Sequence, residues 1–146
     1  MENESTSVNL NDIIASQSEN TSLEGKTVVL AIPQDDERAA FTELLKSMKI
    51  TIRHANSGAE AMHLLEDYPS QLLIMDIVQP DMHGWPLITK IREISTLRDL
   101  PITIIAEKAE MGMTVAKVDY LARPVSIARL RHSVWMALKN DPTESS

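Results

Sequence analysis

The chain has 146 residues, enough for one domain with a sizeable core, and no cysteine, which excludes disulfides, thiolate catalysis and thiolate zinc sites. Its net charge of −7 is uneven: residues 1–25 hold five acids and no Lys or Arg, leaving 16 acidic against 14 basic side chains for the rest. Without a clustered basic face, a leader or a bilayer-length apolar run, the chain reads as a cytoplasmic protein that binds neither nucleic acid nor membrane.

In chain order, residues 1–25 are acidic and rich in Ser, Asn and Thr. They cannot bury enough apolar surface to offset their ordering entropy, so a disordered extension is expected, with "LNDIIAS" as a transient turn at most. The folded domain is expected over 26–140, with a disordered tail at 141–146. From Lys26 on, short apolar runs alternate with helix-period segments, the pattern of βαβ units and a parallel sheet.

"TVVLAI" (27–32) suits a buried strand. "DDERAAFTELLKSM" then places Ala40, Phe41, Leu44, Leu45 and Met48 on one helical face behind acids that favour a helix N-terminus. "TIRHA" (51–55) is a second strand, and Ser57 caps "GAEAMHLLEDY", which ends before Pro69. "QLLIMD" (71–76) is the third strand and "WPLITKIREI" the third helix, with Pro86 tolerated in its first turn. "PITIIA" (101–106) and "VDYLA" (118–122) complete five strands. Between them only "EKAEMGMTVAK" is available for a fourth helix, with Gly112 inside it, so that helix is expected to be short or irregular. The closing fifth helix, "SIARLRHSVWMALKN", is expected to bury Ile127, Leu130, Val134 and Leu138 and to expose Arg129 and Arg131.

In such sheets ligands meet the carboxyl ends of the strands, at the topological switch point. Asp76 ends the third strand, and Ile32 and Pro33, Ala106 and Arg123 end the first, fourth and fifth, so these residues should converge. Elsewhere the chemistry is sparse. His54, His63, His83 and His132 lack metal-binding spacing, Ser57, Ser126 and Ser133 lack a nucleophile context, and no glycine loop marks a phosphate or flavin site. Nothing in the chain marks an enzyme. Met111 and Met113 read as packing residues of the weak fourth segment.

"LLIMDIVQPDMHGW" and "DYLARPVS" carry a resemblance. Over about residues 26–140 the chain is similar to a response-regulator receiver domain, the phosphoacceptor module of two-component signalling. The resemblance implies a flavodoxin-like, doubly wound five-stranded parallel sheet with helices on both faces. It puts Asp76 at the phosphoacceptor position, Tyr120 at the switch aromatic and a cis peptide bond before Pro124. It also exposes departures. The family's metal-binding acid pair falls on Ile32 and Pro33, which cannot ligate Mg²⁺ through their side chains. Asp35 and Asp36 are the alternative acids, three residues further on, where helix N-terminal acids are also favoured. Ala106 stands where the family has Ser or Thr, and Arg123 where it has the phosphoryl-contacting Lys. Because a guanidinium can hold a carboxylate bidentately, Arg123 is expected to pair with Asp76.

The reading is a degenerate, or pseudo-, receiver that takes no cofactor and binds another signalling protein, such as a sensor kinase, an output domain or a regulator. The surface the family uses is that of the fourth helix, fifth strand and fifth helix, and a homodimer is a further pairing it allows. Two alternatives stand beside it: a working receiver phosphorylated on Asp76 with Mg²⁺, and a flavodoxin-like domain holding a small ligand at the same edge.

Overall fold

Apolar, β-branched runs bounded by turn residues form the sheet. The computed structural model describes residues 23–107 and 117–139. The strands are β1 (Thr27–Ala31), β2 (Thr51–His54), β3 (Leu72–Asp76), β4 (Ile102–Ala106) and β5 (Val118–Ala122). All neighbours pair in parallel, in the order β2-β1-β3-β4-β5. β3 and β4 are buried at every position, as strands covered on both faces must be, whereas the edge strand β2 is half-exposed.

The described helices are α1 (Asp35–Ser47), α2 (Gly58–Asp67), α3 (Gly84–Glu93) and α4 (Ile127–Leu138). α4 is the closing helix of the sequence reading. Alternate strand residues point to opposite faces and so build two cores. Val28, Leu30, Leu72 and Ile74 pack with Phe41 and Leu45 of α1 and Leu130, Val134 and Leu138 of α4. Val29, Leu73, Met75 and Ile104 pack with Ala61 and Leu65 of α2 and Leu87, Ile88 and Ile91 of α3. Ser57 caps α2 as its sequence position implies, its Oγ accepting from the Glu60 amide at 3.0 Å. Among the described residues no helix is long and apolar enough to cross a membrane.

Several expectations are corrected. Leu23, assigned to the extension, is fully buried in the α1 and α4 core, because the turn at 23–25, with Gly25 at φ +92°, folds the chain under the sheet. Residues 1–22 and 140–146 lie outside the described residues. Ile127 is 42% exposed: as the first residue of α4 it sits beyond the end of β5, and its place in that helix's buried set goes to Ser133. Ala40 is exposed too, about a quarter-turn round the helix from the centre of the Phe41, Leu44 and Leu45 stripe. A 3-10 turn at Ser95–Leu97, unanticipated, follows α3. The fourth helical segment, with Met111 and Met113, lies outside the described residues.

The loop after β3 explains the glycine of "PDMHG". The Gly84 amide donates to the Ile77 carbonyl at 2.6 Å. A Cβ at Gly84 would lie 2.8 Å from that carbonyl oxygen and 2.8 Å from Ile77 Cδ1. Backbone cannot yield as a flexible side chain can, so Gly84→Ala is expected to destabilise the fold by about 1–3 kcal/mol. Urea unfolding measures it, and an unchanged midpoint would contradict this account of the turn.

Candidate functional site

The carboxyl edge of the sheet gathers the residues named from the sequence. β1 and β3 are neighbours whose flanking connections leave to opposite faces, and the crevice between their ends is the switch point. A shallow cleft of about 280 Å³ opens there, lined by Pro33, Gln34, Asp76, Val78, Gln79 and Pro80. Asp76 is 7% exposed at its floor.

Both oxygens of Asp76 have donors. Oδ1 accepts from the Val78 amide at 2.9 Å, and Oδ2 accepts from Arg123 Nη2. The expected pair is therefore present, but Arg123 serves a second acid more fully. Its Nε donates to Glu37 Oε2 at 3.0 Å and its Nη2 to Glu37 Oε1 at 2.7 Å, a two-pronged contact. Glu107 lies farther out, at 3.7 Å from Nη1. The Arg123 and Glu37 side chains are 20% and 17% exposed, so the pair is largely shielded from screening. The Glu37 hydrogen bonds are the main force raising the Arg123 pKa further above its ordinary value; burial opposes them and the Asp76 bond reinforces them. The guanidinium stays charged throughout the accessible pH range.

The chain brings Arg123 here by simple means. The Arg123 amide continues the β4 ladder by donating to the Ala106 carbonyl at 3.0 Å, and the Arg123–Pro124 bond is cis, as the resemblance implied. Glu37 arrives from the first turn of α1. Of the three acids there it is the one that reaches the Arg123 guanidinium, and the sequence reading named the other two. Asp35 instead bonds Arg38 at 2.5 Å with its side chain 87% exposed, and Asp36 is exposed.

The acid-pair positions do not fit a divalent cation. Ile32 is buried in the α1 and α4 core, and the Ile32 and Pro33 carbonyls accept from Arg38 Nη1 at 3.1 and 3.3 Å. Two guanidinium groups thus stand along an edge where a hard cation would need free carboxylate oxygens. Gln79, another residue the sequence reading passed over, straps the strand ends together: its Nε2 donates to the Ala31 and Asp76 carbonyls at 2.9 and 2.8 Å.

Ala106 has no hydroxyl to offer, and it shares a core with Tyr120 and Trp85. The Tyr120 ring packs on Trp85, centroids 6.2 Å apart and planes 48° apart, and burial pushes its phenol up. All four histidines are exposed, and His83 caps α3 through Nδ1. A larger cavity of about 570 Å³ lies at the opposite, amino edge of the sheet, over Thr103, Asp119 and Ser133.

The response regulator receiver domain matches residues 31–134. This chain belongs to that family. A probable cyclic di-GMP phosphodiesterase of Vibrio cholerae is 29% identical over 117 residues, 77% of this chain and 26% of that protein. The two-component response regulator ORR5 of Oryza sativa subsp. japonica is 28% identical over 108 residues, 69% of this chain and 81% of the regulator. This receiver thus spans about a quarter of the phosphodiesterase's length. Among solved structures, the receiver domain of the sensor histidine kinase PA1611 from Pseudomonas aeruginosa, which holds a magnesium ion in its active-site cleft, superposes with a TM-score of 0.71 at 20% identity. The match covers 79% of this chain and 98% of that domain. That likeness shows the fold, and the family match makes the chain a receiver domain of two-component signalling, with Asp76 at the end of β3.

One further acid in the loop is positioned by backbone alone. Asp81 accepts from the Gly58 and Ala59 amides at 2.8 and 3.0 Å, holding the loop after β3 to the N-terminus of α2. Those bonds, Ala59's first, lower its pKa below 3.8. A depressed carboxyl pKa adds stability that is present above the unfolded value and lost as pH falls through the folded one. The stability difference between the wild type and Asp81→Ala should therefore be constant from pH 7 towards 4 and shrink below it. Urea unfolding across that range measures it, and a difference that persists undiminished in acid would contradict the charged cap.

Proposed function

We propose that this receiver is a fixed, or pseudo-, receiver: a module of two-component signalling that acts by binding another signalling protein without being switched by phosphorylation. The observation that carries this reading is the position of Arg123, whose guanidinium holds Asp76 and Glu37 at once. A carboxylate attacks a phosphoryl group effectively when a divalent cation offsets the developing charge and aligns the donor. Here Asp76 Oδ2 is already bound to a permanent cation, and the neighbouring acid-pair positions are Ile32 and Pro33. The missing hydroxyl at Ala106 removes a further contact to a bound phosphoryl group, and Trp85 packed on Tyr120 supplies an apolar reason for the switch aromatic to stay in place.

The partner would be a sensor kinase, an output domain or a regulator, met through β5 and α4. That side carries exposed Ile127, Arg129 and His132, a mixed apolar and basic surface suited to an acidic partner with an apolar anchor. The reading takes no Mg²⁺ and no other cofactor.

Incubating the chain with acetyl phosphate and Mg²⁺, then weighing it intact, tests this reading. No mass gain of a phosphoryl group is expected, in the wild type or in Asp76→Asn. A phosphoryl group gained by the wild type and absent from Asp76→Asn would establish instead a working receiver.

A further inference from the structure

We propose that Arg123 forms an oxyanion site of the phosphate class which the chain keeps filled with its own Glu37 carboxylate. The inference deepens the fixed-receiver reading and rests on it. The guanidinium recognises carboxylate and phosphate by the same planar fork, two parallel N–H donors meeting two oxygens. In this chain the fork of Nε and Nη2 is taken by Glu37 Oε2 and Oε1, at 3.0 and 2.7 Å. Asp76 shares Nη2 but leaves the fork itself to Glu37. Glu107, the third acid near Arg123, stands off at 3.7 Å with its side chain 65% exposed.

Glu37 is built to stay. Its backbone lies in the first turn of α1, its side chain is 17% exposed, and the helix carries Arg38 beside it, itself bonded to the Ile32 and Pro33 carbonyls and to Asp35. A carboxylate tethered at such a position competes at an effective concentration of about millimolar or higher, so free oxyanions below that level are excluded. The site beside Asp76 would then carry an internal anion at all times. The Arg123 contact that a phosphoryl group would otherwise make is made within the chain, between α1 and the end of β5.

The test is titration of inorganic phosphate at constant ionic strength, read on the Arg123 Nε–Hε resonance by NMR. The wild type should show no saturable response, whereas Glu37→Ala should respond at a phosphate concentration at least about tenfold lower. Glu37→Gln, which keeps the side-chain shape and loses the charge, is read by the same criterion should the alanine variant not fold. With Arg123→Ala added, read on the amide resonances of Asp76 and Val78, the response should vanish. Equal responses in the wild type and the Glu37 variants, no response in any of them, or a response that survives Arg123→Ala would each overturn the inference. Failure is distinguishable from that of the parent reading: a wild type that takes up a phosphoryl group on Asp76 overturns the fixed receiver, whereas an unresponsive Glu37 variant overturns the resident anion alone.

Discussion

The carboxyl edge of this receiver depends on one guanidinium. Arg123 joins the end of β5 to Asp76 at the end of β3 and to Glu37 in the first turn of α1. Three segments far apart in sequence thus share one cation. Lysine would present a compact, strongly hydrated charge there; arginine offers a rigid fork that satisfies both oxygens of one acid and still reaches a second. Removing the guanidinium would leave two poorly exposed carboxylates facing each other, which makes the network costly to break whatever its net contribution to folding.

The rest of the fold places the partners of that cation. The buried strands β3 and β4 pair in a register that sets Asp76 opposite Ile105, and the β4–β5 pairing carries on to put the Arg123 amide on the Ala106 carbonyl. Gln79 holds the ends of β1 and β3 together through two carbonyls, leaving its own Oε1 buried without a partner among the described residues. An uncompensated buried acceptor is unfavourable, so the strap is retained against a local penalty. With Arg38 on the Ile32 and Pro33 carbonyls just past β1 and Arg123 on the β3 carboxylate, positive charge along this edge comes from the chain itself.

Much of the fold was legible in the sequence because it is carried by local pattern. Five apolar runs of strand length, the alternation with helical segments, and Ser57 before α2 are all encoded within a few residues of where they act. The pairing of Asp76 with Arg123 was legible too, since both sit at strand ends that the topology must bring together. Glu37 was not. Its contact with Arg123 spans 86 residues, and in sequence it is one of three adjacent acids whose place at a helix N-terminus already has a sufficient local explanation. Which of the three faces the sheet depends on the rotation of α1, and that is set by the packing of Phe41, Leu44 and Leu45. Gln79 escaped notice for a similar reason, since a neutral amide in a loop has no signal of its own. Leu23 and Ile127 show the opposite limit: burial near an element's end follows the path of the chain, which apolar periodicity does not describe.

A double-mutant cycle between Arg123→Ala and Glu37→Ala, measured by urea unfolding, tests the central claim most directly. The account predicts a favourable coupling of about 1–3 kcal/mol, as expected for a two-pronged charged pair largely shielded from solvent. Additivity within about 0.5 kcal/mol would mean that the two side chains do not interact, and would contradict it.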